Sequence, residues 1–145
     1  YKSAVILEKA IKDGKIEENE RNLEKLGQAW SLSGELEKAI PPLISAAKLS
    51  QDGNLYARVA SAYIGLAQWK KVVEHLDLAI KKGDLHNAGG AYLSKGMAEF
   101  RLKRYEDAEK SFIEAKAYPK SKKLSEQWLM YMESELQKIA ALEEA

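Results

Sequence analysis

The sequence predicts an all-α protein built as an α-α superhelix, a stack of antiparallel helix hairpins. Three observations predict it. Small residues recur at Ala10, Ala46, Ala79 and Ala115, at intervals of 36, 33 and 36 residues. Large residues at Leu7, Leu43, Leu76 and Phe112 keep the same rhythm three positions earlier. A third column, Leu23, Tyr56, Tyr92 and Trp128, steps by 33, 36 and 36. A period of this length marks an array of similar helical units, each burying its apolar face only against its neighbours.

The elements follow in order along a single domain of residues 1–145. Residues 1–16 read as the second helix of a truncated hairpin, with Leu7 and Ala10 in register and Asp13-Gly14 closing it, so the protein is expected to extend upstream. Residues 20–52 form the first full unit: Leu23, Leu26, Gly27 and Trp30 fall at helical spacing, Ser33 and Gly34 make a turn, and Leu36, Ala39, Ile40, Leu43 and Ala46 resume the pattern. A glycine there suits a turn that needs positive φ. Residues 53–86 repeat this with Tyr56, Val59, Ala60 and Tyr63, a turn around Leu66 to Trp69, and then Val72, Val73, Leu76, Ala79 and Ile80. Residues 89–120 do so with Tyr92, Gly96 and Phe100, then Tyr105, Ala108, Phe112 and Ala115. The interval from Gly27, Ala60 or Gly96 to Ala39, Val72 or Ala108 is always twelve residues, so insertions fall between units and never within them.

Residues 121–145, with Trp128, Leu129, Met132, Leu136, Ile139 and Leu142 on one stripe, are expected to be a capping helix. By spacing, Met132 occupies the column of Gly27, Ala60 and Gly96, where a large side chain blocks the approach of a further hairpin, and Glu133, Glu135 and Lys138 make the other side polar. Small residues in that column let helix backbones approach closely while the large column fills the adjacent groove. Pro41 and Pro42 break the rule inside a second helix. They remove two amide donors and crowd the preceding turn, at about 3 kcal/mol or more in an ideal helix, so a kink or a late helix start is expected.

Composition narrows the function. Of 145 residues, 46% are hydrophobic and 31% charged, with three prolines and nine glycines, which fits a helical folded chain and not a disordered one. Lys and Arg number 23 against 22 Asp and Glu, a net charge of +1 without a basic stripe, so nucleic acid is not an expected partner. Lys120, Lys122 and Lys123 after Pro119 read as solvated lysines in a turn. No apolar stretch is long enough to span a membrane, so no insertion is expected. The absence of cysteine excludes disulfides and thiolate chemistry and fits either a reducing or an oxidising compartment.

Catalysis needs a nucleophile within reach of a base, a metal-ligand cluster or a phosphate-cradling loop, and none assembles. His75 lies on the shoulder of an apolar helix face and His86 in a turn, both read as solvated or capping residues. Gly89-Gly90 lacks the lysine of a phosphate loop and reads as punctuation. No enzyme and no cofactor or metal is expected.

Leu23-x-x-Leu26-Gly27-x-x-Trp30 with Ala39-x-x-x-Leu43 resembles the tetratricopeptide repeat. Tyr56-x-x-Val59-Ala60-x-x-Tyr63 with Val72-x-x-x-Leu76 is a conservative variant, whereas Tyr92-x-x-Lys95-Gly96-x-x-Glu99 with Ala108-x-x-x-Phe112 departs at two large positions. The resemblance covers residues 1 to about 136 and implies a protein-interaction scaffold whose first helices line a concave groove. By register the groove residues are Arg21, Glu24, Lys25 and Gln28, then Asn54, Ala57, Arg58 and Ser61, then Leu93, Ser94, Met97 and Arg101. They imply an extended or helical peptide held by Arg58 or Asn54 through hydrogen bonds and by a hydrophobic anchor at Met97, unless Leu93 and Met97 pack under the C-terminal helix. Chaperone-binding members of the family grip a terminal carboxylate with two lysines, two asparagines and an arginine. Here those places hold Glu24, Gln28, Arg58, Gly90 and Ser94, so that clamp is not expected. The alternative is a structural module that self-associates through its repeat or cap helices. The stretch from Tyr92 to Trp128 also looks like the C-terminal part of bacterial repeat proteins associated with TonB-type systems, which implies a periplasmic scaffold, with the cytoplasm as the other location.

Overall fold

A computed structural model describes residues 1–145 and contains eight α-helices: α1 (Lys2–Lys12), α2 (Glu20–Leu32), α3 (Leu36–Leu49), α4 (Asn54–Gly65), α5 (Trp69–Lys82), α6 (Ala88–Arg101), α7 (Tyr105–Lys116) and α8 (Pro119–Glu144). The chain divides into two compact units, Tyr1–His86 and Asn87–Ala145.

The first unit holds α1 and the hairpins α2–α3 and α4–α5. Its main core joins Ala4, Leu26, Trp30, Ala39, Ile40, Leu43, Val59 and Ala62, and a second cluster joins Leu23, Ala46, Ala47 and Leu55. The small column does the work expected of it. A methyl group at Gly27 would sit 2.5 Å from Leu43 Cγ, so only a bare backbone lets α2 approach α3 this closely. Gly53 has the same role between connections: its amide donates to the Gly83 carbonyl at 2.8 Å, and its backbone lies directly on the Ala79 carbonyl. A side chain at position 53 would therefore collide with the α5 backbone. The prolines do not delay α3. It starts at Leu36 and runs through Pro41 and Pro42, so the two missing amide donors lie inside a continuous helix, with Pro41 exposed and Pro42 buried.

The second unit holds the hairpin α6–α7 and the long α8. Ala108, Phe112 and Met132 form its core, with Leu93, Phe100, Trp128, Leu129 and Leu136 around them. Gly96 is closed by the Phe112 ring, 2.6 Å from the position of a Cβ. Phe112 in turn stacks on Trp128, centroids 5.5 Å apart. Gly89 turns out to be a packing residue as well as punctuation, because a Cβ there would meet Tyr118 Cβ at 2.6 Å and Ser121 Oγ at 2.7 Å. Side-chain caps close two helix starts: Asn19 Oδ1 accepts from the Asn22 amide at 2.9 Å, and Asn87 Oδ1 from that of Gly90 at 2.9 Å.

Candidate functional site

The first helices of the hairpins carry the candidate contacts. In the first unit, α2 and α4 bring Glu24 and Arg58 together, Oε1 to Nη1, at 2.7 Å. Both side chains are well over a third exposed, so the pair joins two consecutive hairpins at the surface without being buried. Arg21, Lys25 and Gln28 are exposed beside it on α2, as is Ser61 on α4, whose hydroxyl donates to the Ala57 carbonyl at 3.2 Å. A cleft of about 360 Å³ adjoins this face, lined by Tyr1, Ser3, Lys25, Gln28, Leu32 and Ser33 among others. Tyr1 and Leu32 were invisible to the repeat register, because neither lies in a repeated column.

Asn54 has a different place. Its Oδ1 accepts from the His86 amide at 2.9 Å and its Nδ2 donates to the Asp84 carbonyl at 3.3 Å, so it ties the segment after α5 back to the start of α4. The two polar groups singled out for ligand hydrogen bonds, Arg58 and Asn54, are thus both engaged within the chain.

In the second unit, Leu93 packs against the Phe112–Met132 core under α8, whereas Met97 on the same helix is 37% exposed. The structure separates the two apolar candidates. Ser94 is half-buried and Arg101 exposed. On α8, Gln127, Trp128 and Tyr131 line an open cleft of about 310 Å³, and Tyr131 packs on Phe100 and Trp128 with ring centroids 5.7 Å away in each case. The sequence pattern gave no signal for Tyr131.

Neither histidine is placed for chemistry. His75 is buried and not solvated or capping: its Nδ1 donates to the Lys71 carbonyl at 2.8 Å, and its ring lies 5.0 Å from that of Tyr63 and 6.4 Å from that of Tyr56. The expectation failed because two tyrosines of α4 extend the apolar face around the shoulder. His86 is exposed. Glu99 takes the aromatic position of the third repeat; it is buried and accepts a short hydrogen bond from Ser111 Oγ. Nearby, burial pushes the Tyr92 phenol above its usual pKa, with the Glu114 carboxylate and Tyr118 adding to the effect, so it is a neutral hydroxyl at physiological pH. No three His, Cys, Asp or Glu side chains gather as metal ligands, and no helix is long and apolar enough to cross a membrane.

Solved structures share this fold. The first TPR domain of Spaghetti (RPAP3), bound to the HSP90 peptide SRMEEVD, aligns with a TM-score of 0.70 at 20% identity, covering 82% of this chain and 94% of its own. The Arabidopsis OM64 TPR domain aligns with a TM-score of 0.66 at 24% identity, over 79% of this chain and 96% of its own. MamA aligns with a TM-score of 0.67 at 17% identity, over 98% of this chain and 90% of its own. No protein-family model matches the sequence. No curated protein matches it either. The fold is therefore the all-α superhelical fold of tetratricopeptide-repeat domains.

Proposed function

We propose that the chain is a noncatalytic interaction scaffold that holds a peptide segment of a partner protein against the exposed faces of its first helices. The observation that carries this reading is the tetratricopeptide fold combined with a row of accessible polar side chains on α2 and α4, where Arg21, Lys25, Gln28 and Ser61 surround the Glu24–Arg58 pair. That one relative of the fold is solved with a bound peptide supports the mode of use.

Glu24 already supplies a carboxylate to Arg58, so a free carboxyl terminus has to displace it, and the pairing favours a ligand that presents backbone amide groups or mixed charges. Exposed Met97 offers an adaptable apolar contact on α6. A pull-down comparing the chain with its Arg58→Glu and Met97→Glu variants tests the surface. Each variant is expected to lower retention of a partner at least tenfold, on the order of the 1.4 kcal/mol that a tenfold change represents. Retention unchanged in both would exclude these faces. The narrower resemblance of Tyr92 to Trp128 to TonB-associated repeat proteins favours a bacterial envelope complex as the setting, and fractionation of cells expressing the native gene separates periplasm from cytoplasm.

A further inference from the structure

Lys120, Lys122 and Lys123 do not sit in a turn before the last helix. They belong to the start of α8 itself, whose first turn has no acidic residue. Proline at the first helical position starts a helix, which is why the turn reading fails. All three lysines are exposed, and none makes an ion pair or a side-chain hydrogen bond within the chain. Helix stability does not account for them, because the dipole disfavours cations at an N-terminus.

Lys120 is followed at four, seven and eleven residues by Leu124, Gln127 and Tyr131, and Lys123 at four by Gln127, so the lysines and these side chains share one face of α8. Leu124 and Tyr131 are each 50% exposed on it. The face leads into the cleft of about 310 Å³ lined by Gln127, Trp128 and Tyr131. The two rings stand at 88° to each other, and Phe100 of α6 closes the corner behind them, 5.7 Å from both. The walls of this corner thus come from α6 and α8 of one unit. A helix following α8 would stack on the other side, against Leu129 and Leu136, and leave the corner open. Charge is segregated around α8. Glu126 and Glu133 are the carboxylates between Pro119 and Ser134, and both fall off the Gln127–Tyr131 face, with Glu133 lining the other cleft beside Glu109.

We propose that the Trp128–Tyr131 corner is a subsite for an internal acidic segment of a partner protein, taking a large apolar side chain against the rings while carboxylates two to four residues away meet Lys123 and Lys120. Charge complementarity selects this occupant, since the lysines repel a cationic segment and gain nothing from an uncharged one. The span fits it. From Lys120 to Tyr131 the helix rises about 16 Å, the reach of about five extended residues. Gln127, between them, offers its carboxamide to the backbone of the segment. The inference rests on the reading of a peptide held along the first helices and adds α8 to that surface; it requires no free carboxyl terminus.

Fluorescence anisotropy with the 145-residue chain and a labelled, C-terminally amidated peptide Asp-Glu-Asp-Gly-Phe tests it. Saturable binding is expected. It is expected to weaken at least tenfold when Ala replaces Phe in the peptide, when Lys120→Glu is combined with Lys123→Glu, and in Tyr131→Ala, with helical content unchanged. Because both lysines are exposed, their double variant decides the matter even where Tyr131→Ala loosens α8. The proposal is overturned by no saturation up to about 1 mM peptide, by equal binding of Asn-Gln-Asn-Gly-Phe, which lacks the charge, or by tighter binding of Lys-Lys-Lys-Gly-Phe. Titration of Arg58→Glu separates this subsite from the face on α2 and α4. Peptide binding lost there and kept in the lysine variant would place the acidic segment on the first unit and sink the subsite, whereas a partner pull-down indifferent to Arg58→Glu and lost in the lysine variant keeps the subsite and removes the α2–α4 face. Cosedimentation with phosphatidylserine vesicles that the lysine variant loses, without any peptide binding, would assign the strip to an anionic membrane surface instead.

Discussion

Gly34, Ala67 and Lys103 close the three hairpins in the left-handed backbone region, at φ 78°, 54° and 62°. Each lets the next amide reach back to the first helix: Glu35 to the Trp30 carbonyl, Gln68 to that of Tyr63 and Arg104 to that of Glu99, at 2.9 to 3.0 Å. An L-residue with a side chain is strained there by about 1 to 2 kcal/mol, part of which a glycine gives back through the larger entropy of its unfolded chain. Lys103→Gly is therefore expected to stabilise the protein by about 0.5 to 1 kcal/mol and Gly34→Ala to destabilise it by a similar amount, read as opposite shifts of the urea midpoint at constant slope. Equal midpoints would show that the turn relaxes. Gly34 could be read from sequence because glycine advertises positive φ. Ala67 and Lys103 could not, because the demand comes from the hairpin and not from those residues. His75 was misread for the same kind of reason: its own helix places it at an edge, and only α4 makes that edge part of the core.

The hairpins were legible element by element because each rests on a local rule that repeats, a notch at Gly27, Ala60 or Gly96 twelve residues before Ala39, Val72 or Ala108. The seat of α8 was not legible. Its stripe contains large residues at Trp128, Leu129, Tyr131, Met132 and Leu136, enough to bury either of two adjacent faces, and the Phe112–Trp128 stack selects one of them. This has a measurable consequence. Met132→Ala is expected to cost about 2 to 5 kcal/mol, as for a buried aliphatic truncation. Tyr131→Ala, which loses only half-exposed ring contacts with Phe100 and Trp128, is expected to cost about 1 kcal/mol. Denaturant unfolding of the two variants checks this order, and equal losses would show that Tyr131 is packed as fully as Met132.

For the whole molecule, the repeated columns predict where apolar side chains are buried but not where the chain divides. The division falls at His86–Asn87, after a connection bent by Gly83 at φ 82° and Asp84 at φ 51° and tied down by Asn54, none of which is a repeated feature. The candidate groove was legible to a similar depth. Register placed Glu24 and Arg58 near one another, but not the ion pair that occupies both, nor the role of Asn54 in the connection. Because the cores of the two units are distinct clusters, stability in an array of this kind is a sum over units and their neighbours and not one global quantity. Phe112→Ala empties the centre of the second unit and is expected to remove about 3 to 5 kcal/mol there. In native-state hydrogen exchange, protection is then expected to fall most in α6, α7 and α8 and least in α2 and α3. An equal fall in all helices would mean that the chain opens only as a single cooperative body, and the additive picture of its stability would have to be abandoned.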